Sequence, residues 1–259
     1  MYGICSNFLS SDRYSLHEEK LNLISKYFDF IEFPAFRIVN MDDFQFESFS
    51  RKIKDSGIKS VVFTNMFPSE IKLFGKEKDN EQIRVYLRSL MERASCLDVK
   101  KIVLGSGPSR NIPSCMDKTE AVEVFLELLM SDIVPMGEMY NIDILLEPLT
   151  PEKCNFINSI GEAAYYCERV NGSKLSIVAD SYNLYGCKNL YEEIQRYHAL
   201  IKHVHLSDKE RKLPSIDDSI IWNFVKSIKE AKITIDCSLE CEIEDDKYAE
   251  ASKQIKNML

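Results

Sequence analysis

Four residues of this chain could share one cation. Glu147, Asp180, His205 and Glu240 stand at the ends of four successive apolar segments: Ile142-Asp-Ile-Leu-Leu, Leu175-Ser-Ile-Val-Ala, His203-Val-His, and Ile233-Thr-Ile-Asp-Cys-Ser-Leu. An ionised carboxylate at the end of a buried segment costs several kcal/mol to desolvate unless a partner or a metal meets it. Four such residues in a row point to one shared divalent ion. Three carboxylates and an imidazole suit Mn²⁺, Mg²⁺ or Co²⁺ better than a thiophilic ion, with Zn²⁺ also admissible. His203 shares a face with His205 and is expected one layer lower, orienting it. Glu242 has the parity of Glu240 but lies farther beyond the apolar run, so Glu240 is preferred.

These side chains need a scaffold that brings four strand ends together. Short apolar runs alternate with amphipathic segments along the whole chain, the pattern of repeated β-α units around a parallel sheet. Eight runs are expected as strands, near Tyr2 to Cys5, Phe30 to Phe33, Ser60 to Thr64, Lys101 to Leu104, Ile142 to Leu146, Leu175 to Ala179, Ile201 to His205 and Ile233 to Leu239. Between them Ile83, Leu87, Leu90, Met91 and Ala94 share one helical face, as do Val122, Phe125, Leu126, Leu129, Met130 and Ile133. The Met-rich stretch from Met130 to Met139 is read as core packing. A length of 259 residues with 45% hydrophobic content fits a single α/β domain over 1–259, a (β/α)₈ TIM barrel.

Strand parity aims the polar groups. In the last run Ile233, Ile235, Cys237 and Leu239 oppose Thr234, Asp236, Ser238 and Glu240, and the fifth and sixth runs divide the same way. The apolar sets are expected to face the helices. The polar sets then face the barrel axis and meet at the C-terminal mouth, where such barrels carry their sites. Glu32 is inward at the end of the second run, touching substrate or a neighbouring side chain. The loop Gly105-Ser-Gly could cradle a phosphate through its amides, but it lacks the Lys-Ser/Thr ending of a P-loop.

Bulk properties remove several classes. A net charge of -8 and an isoelectric point near 5.2, without a basic stripe, argue against nucleic acid. No apolar stretch approaches the roughly 18 residues of a membrane helix, and Met1-Tyr-Gly-Ile-Cys begins without a basic leader, so a soluble, cytoplasmic protein is expected. Most of the eight cysteines, which include no Cys-x-x-Cys pair, read as buried free thiols. Assembly into a homo-oligomer is left open.

Taken in order, Glu147-Pro-Leu, Asp180, His203-Val-His205 with Arg211 six residues on, and Leu239-Glu240-Cys241 resemble the sugar phosphate isomerase/epimerase family of xylose isomerase-like TIM barrels, in particular its ketose 3-epimerase-like branch. Asn65-Met-Phe-Pro, Gly105-Ser-Gly-Pro-Ser-Arg-Asn-Ile-Pro and Asn155-Phe-Ile-Asn158 look like that family's loops. The resemblance implies one divalent metal, often manganese, held by Glu147, Asp180, His205 and Glu240. It also implies that Glu147 and Glu240 move protons on a small sugar or sugar derivative through an enediolate. Two positions depart from the branch: Lys153 replaces a substrate-binding glutamate, and Asn183 replaces a histidine. The expected substrate contacts are therefore Arg211, Lys153, Asn183, Glu32 and His203, and a lysine beside Arg211 suits a carboxylate or phosphate. A lyase or dehydratase on the same site, and a non-catalytic sugar-binding barrel, are the alternatives. A three-zinc endonuclease would need more than the four histidines present.

Overall fold

Each of the eight apolar runs forms a parallel strand, and the strands close on themselves in chain order. They are β1 (Tyr2–Cys5), β2 (Phe30–Pro34), β3 (Ser60–Thr64), β4 (Lys101–Leu104), β5 (Asp143–Leu146), β6 (Leu175–Asp180), β7 (Ile201–Leu206) and β8 (Asp236–Leu239). The computed structural model describes residues 1–9, 16–170, 172–233 and 235–259. The expected last strand started at Ile233. The observed β8 starts where its ladders do, at the pairs His203↔Asp236 and Tyr2↔Cys237, and Thr234 lies outside the described residues.

Parity divides the strands as the sequence implies. Phe30, Val62, Val103, Leu145 and Val178 form a separate apolar cluster inside the barrel, while Ile31, Phe63, Ile102, Ile144 and Ile177 belong to the outer core against the helices. Gly3 has no side chain because the Phe30 ring fills its place. Below this cluster the barrel is tied by charge: Lys101 Nζ lies 2.7 Å from Asp236 Oδ2, and the N-terminal ammonium lies 2.8 Å from Asp236 Oδ1. A plugged interior leaves the C-terminal mouth as the working end.

Aspartates start several of the outer helices. Asp42, Asp79, Asp117 and Asp218 each accept backbone N–H groups at the head of helices Asp43–Asp55, Asn80–Cys96, Lys118–Leu128 and Ser219–Glu230. One helical expectation fails. Met130 and Met139 are exposed rather than packed in the core, because a π-helical turn at Leu129–Ile133 follows Lys118–Leu128. Its wider turn shifts the phase, so Leu129 and Ile133 stay inside while Met130 rotates out. No described helix is long and apolar enough to cross a membrane.

One irregularity matters for the site. Between β6 and β7 the register moves from Ile177↔Ile201 to Val178↔His203, one residue more on β7 than on β6. The extra residue lets Ile201 join the outer core while His203 and His205 both turn inward.

Candidate metal centre

Strand extension delivers the four candidate ligands. Asp180 and His205 lie opposite one another on β6 and β7. Glu147 and Glu240 follow β5 and β8 directly, and their amides continue the ladders to Leu104 O at 3.3 Å and Leu206 O at 3.0 Å. All four are buried, and each offers one ligand atom within 4.8 Å of the others. Glu242 is exposed, so geometry favours Glu240 as the sequence does.

His205 tests whether the group fits an ion. Its Nε2 faces Glu32 Oε2 at 3.1 Å, and a carboxylate can only accept, so Nε2 carries a proton and Nδ1 is the nitrogen left to meet an ion. That Nδ1 is buried with no hydrogen-bond partner. It lies 3.8 Å from Glu147 Oε1 and 3.6 Å from Glu240 Oε2, too far to hydrogen-bond. Ligands about 2.0 to 2.2 Å from one ion stand roughly 3 to 4 Å apart, so an orphaned imidazole nitrogen among carboxylates at this spacing fits a divalent cation.

Glu32 and His203 lie beneath the tetrad. Both are fully buried, and His203 Nε2 donates to Glu32 Oε1 at 2.7 Å. His203 thus lies in the lower layer expected of it, and of the two contacts weighed for Glu32, substrate or a neighbouring side chain, the structure shows the second. Glu32 bridges two imidazoles and sets the orientation of His205, with no surface left for a molecule at the mouth.

Above the tetrad, Asn183 and Arg211 engage its carboxylates. Asn183 Nδ2 donates to Glu147 Oε1 at 2.8 Å and to Asp180 Oδ2 at 2.6 Å. Arg211 donates through Nη1 to Glu240 Oε2 at 2.6 Å and through Nη2 to Asp180 Oδ2 at 3.3 Å. Its backbone is left-handed, with φ at 59°, held by Glu242 N–H on its carbonyl at 2.8 Å. Lys153 Nζ donates to Asn183 Oδ1 at 3.0 Å. Arg211, Lys153 and Asn183 therefore gather at the rim of the tetrad.

Electrostatics shows how crowded the charges are. Burial, then Glu240 and Glu147, outweigh Arg211 and raise the Asp180 carboxyl to about 6. Burial also disfavours ionised Glu240, but Arg211 and His205 overcome it and hold that group near about 2. Burial opposes a charged His205, yet Glu32 and Glu240 together keep its imidazolium well above the ordinary range. A divalent ion would take over the role of those protons.

Sequence reasoning missed three contributors. Tyr182 offers its ring to both rim cations, with Arg211 Cζ at 3.8 Å and Lys153 Nζ at 4.1 Å from its centroid. Arg110, fully buried, donates through Nη2 to the Glu147 carbonyl at 2.8 Å. Gly105 leaves room for Glu147, because a Cβ there would strike Oε2. The glycine of the loop weighed as a phosphate cradle thus faces a carboxylate. Only its lack of a side chain hinted at a close approach.

Comparison with known proteins agrees with this architecture. The D-psicose 3-epimerase of Clostridium cellulolyticum H10, solved with D-tagatose, superposes with a TM-score of 0.84 at 15% identity over 99% of this chain and 98% of that one. An E. coli 3-keto-D-glucoside 4-epimerase gives 0.77 at 17% identity, covering 99% and 98%. The IOLI protein with a bound zinc atom gives 0.74 at 18% identity, covering 99% and 95%. No curated protein sequence matches the chain. The family profile described as xylose isomerase-like TIM barrel matches residues 21–258. The chain belongs to the xylose isomerase-like TIM barrel family.

Proposed function

We propose that this protein is an isomerase or epimerase of a small sugar or sugar derivative, dependent on one divalent ion held by Glu147, Asp180, His205 and Glu240. The observation that carries this is the buried, unpartnered Nδ1 of His205 among three carboxylates. Mn²⁺ is our choice of ion, because the donors are three oxygens and one nitrogen without sulfur. Bound there, it would supply Lewis acidity toward a carbonyl and its neighbouring hydroxyl.

The protein's own groups would do the rest. Glu147 and Glu240 come from β5 and β8, on either side of Asp180 and His205, so a substrate between them meets a carboxylate from two directions. One glutamate takes the proton beside the carbonyl and the other gives a proton back. Return to the opposite face of that carbon gives epimerisation. Return to the neighbouring carbon exchanges aldose and ketose. Asn183 and Arg211 keep the carboxylates oriented, and Arg211, with five N–H donors, has some to spare for substrate oxygens. The structural relatives named above as sugar 3- and 4-epimerases support the reaction class, and the eight free thiols fit a reducing compartment such as the cytoplasm.

Calorimetric titration should find about one Mn²⁺ per chain, lost in Asp180→Ala and in His205→Ala. Turnover in D₂O should place deuterium beside the carbonyl. Glu240→Gln should stay folded and lose roughly 10² or more in kcat, the scale of a positioned base. A wild-type protein that takes up no divalent ion, or a Glu240→Gln variant with full turnover, refutes the proposal.

A further inference from the structure

Lys153 is a cation without a counter-charge. Its contacts among the described residues are the neutral Asn183 amide oxygen and the Tyr182 ring, and it forms no ion pair. The nearest carboxylates are already engaged: Glu147 by Asn183, Asp180 by Asn183 and Arg211, and Glu240 by Arg211. Lys153 as a residue is exposed and its ammonium is partly buried at the rim, within reach of a molecule entering the mouth.

The group is also held in place. Lys153 and Cys154 amides both bond Thr150 O, at 2.9 and 3.0 Å, and Asn158 Nδ2 ties Leu149 O and Cys154 O at 2.7 Å each. Gly107 lets the neighbouring loop close on this turn, because a Cβ there would lie 2.8 Å from Lys153 O. Asn183 then spans the gap, with Nδ2 on two tetrad carboxylates and Oδ1 on the ammonium. A fixed ammonium one amide away from the tetrad is placed for the far end of a small bound molecule.

We propose that the substrate carries an oxyanion, a phosphate or a carboxylate, that pairs with Lys153 while its carbonyl end meets the tetrad. This rests on reading the tetrad as a sugar site and names the class of sugar. The oxyanion gives the ammonium its missing charge partner, and a ring-stacked lysine presents its remaining donors to that oxyanion. A neutral sugar could accept hydrogen bonds there but would leave the ammonium without a charge partner.

Binding of D-fructose, D-fructose 6-phosphate and D-fructuronate to the Mn²⁺-loaded protein tests this by calorimetry. At least one anionic ligand should bind roughly tenfold or more tightly than D-fructose, the scale of one charge-assisted hydrogen bond. Which of the two gains identifies phosphate or carboxylate. Lys153→Met should close that gap, costing the preferred anion roughly tenfold more than it costs D-fructose, with ion stoichiometry unchanged, and Lys153→Arg should keep most of the gain. Equal affinity for all three ligands, or a Lys153→Met variant that weakens all three alike, overturns the inference. A metal-loaded protein without the preference defeats this inference alone. A protein that binds no ion defeats the reading of the tetrad as well.

Discussion

At the residue scale, the proposed reading makes the tetrad a competition between protons and a metal, and the sign of its pH dependence follows. Asp180, raised to about 6, and His205, raised well above its usual range, both bind protons more tightly folded than unfolded. The stability they lend the metal-free protein is complete at low pH and is lost as pH rises through those folded values. Glu240 and Glu32 are depressed, so their contributions are already constant above about pH 5. Ion binding needs the deprotonated forms and strengthens with pH. The difference in melting temperature between Mn²⁺-loaded and EDTA-stripped protein should therefore widen from pH 5 to pH 8. A constant difference across that range would separate the tetrad from metal binding. Glu32→Gln adds a second test, because an amide in place of the carboxylate cannot hold both imidazoles as acceptor. Ion affinity should fall roughly 10- to 100-fold, the usual effect of losing a group behind a ligand.

At the element scale, the loop after β4 shapes the site without contributing a ligand. A Cβ at Gly105 would meet the free end of the Glu147 side chain rather than backbone, and Gly105 is not left-handed. Gly105→Ala should therefore fold with a melting temperature near wild type while displacing the Glu147 carboxylate and weakening ion binding by an order of magnitude or more. Unchanged affinity would mean that Glu147 can shift freely and is not held as a ligand. This loop shows where the sequence stops being legible. The tetrad could be read because its members end apolar runs and share a parity that strand geometry converts into direction. Gly105 and Arg110 act on Glu147 from a neighbouring loop, and nothing in their local sequence names that partner. The register shift in β7 was hidden for a similar reason. It depends on pairing with β6, although the inward direction of His203 and His205 was legible. Glu32 was correctly read as pointing inward, although it lies in the middle of β2 rather than at its end, and its two imidazole partners lie 171 and 173 residues away.

At the scale of the whole molecule, the barrel separates the groups that hold it closed from the groups expected to do chemistry. The mouth gathers carboxylates whose mutual repulsion disfavours the metal-free fold, whereas the opposite end is tied by pairs that favour it. There Lys101 bridges Asp236 and the Lys202 carbonyl, at 2.7 and 2.9 Å, joining β4 to β7 and β8 across the axis. Burial would raise the Asp236 carboxyl, but Lys101 and the N-terminal ammonium lower it below its ordinary value. Its contribution is thus present above the unfolded value near 3.8 and is lost as pH falls through the folded one. Lys101→Met removes one of its two cations and strands a partly buried carboxylate, which should cost about 1 to 3 kcal/mol. For a domain of this size that is a drop of roughly 2 to 12 °C in melting temperature. The same variant should bind Mn²⁺ with wild-type affinity, because the apolar layer of Phe30, Val62, Val103, Leu145 and Val178 lies between the two ends. Thermal melts and ion titrations on one preparation decide the matter. Loss of ion affinity together with stability would mean that the plug transmits strain and that the two ends act as one unit.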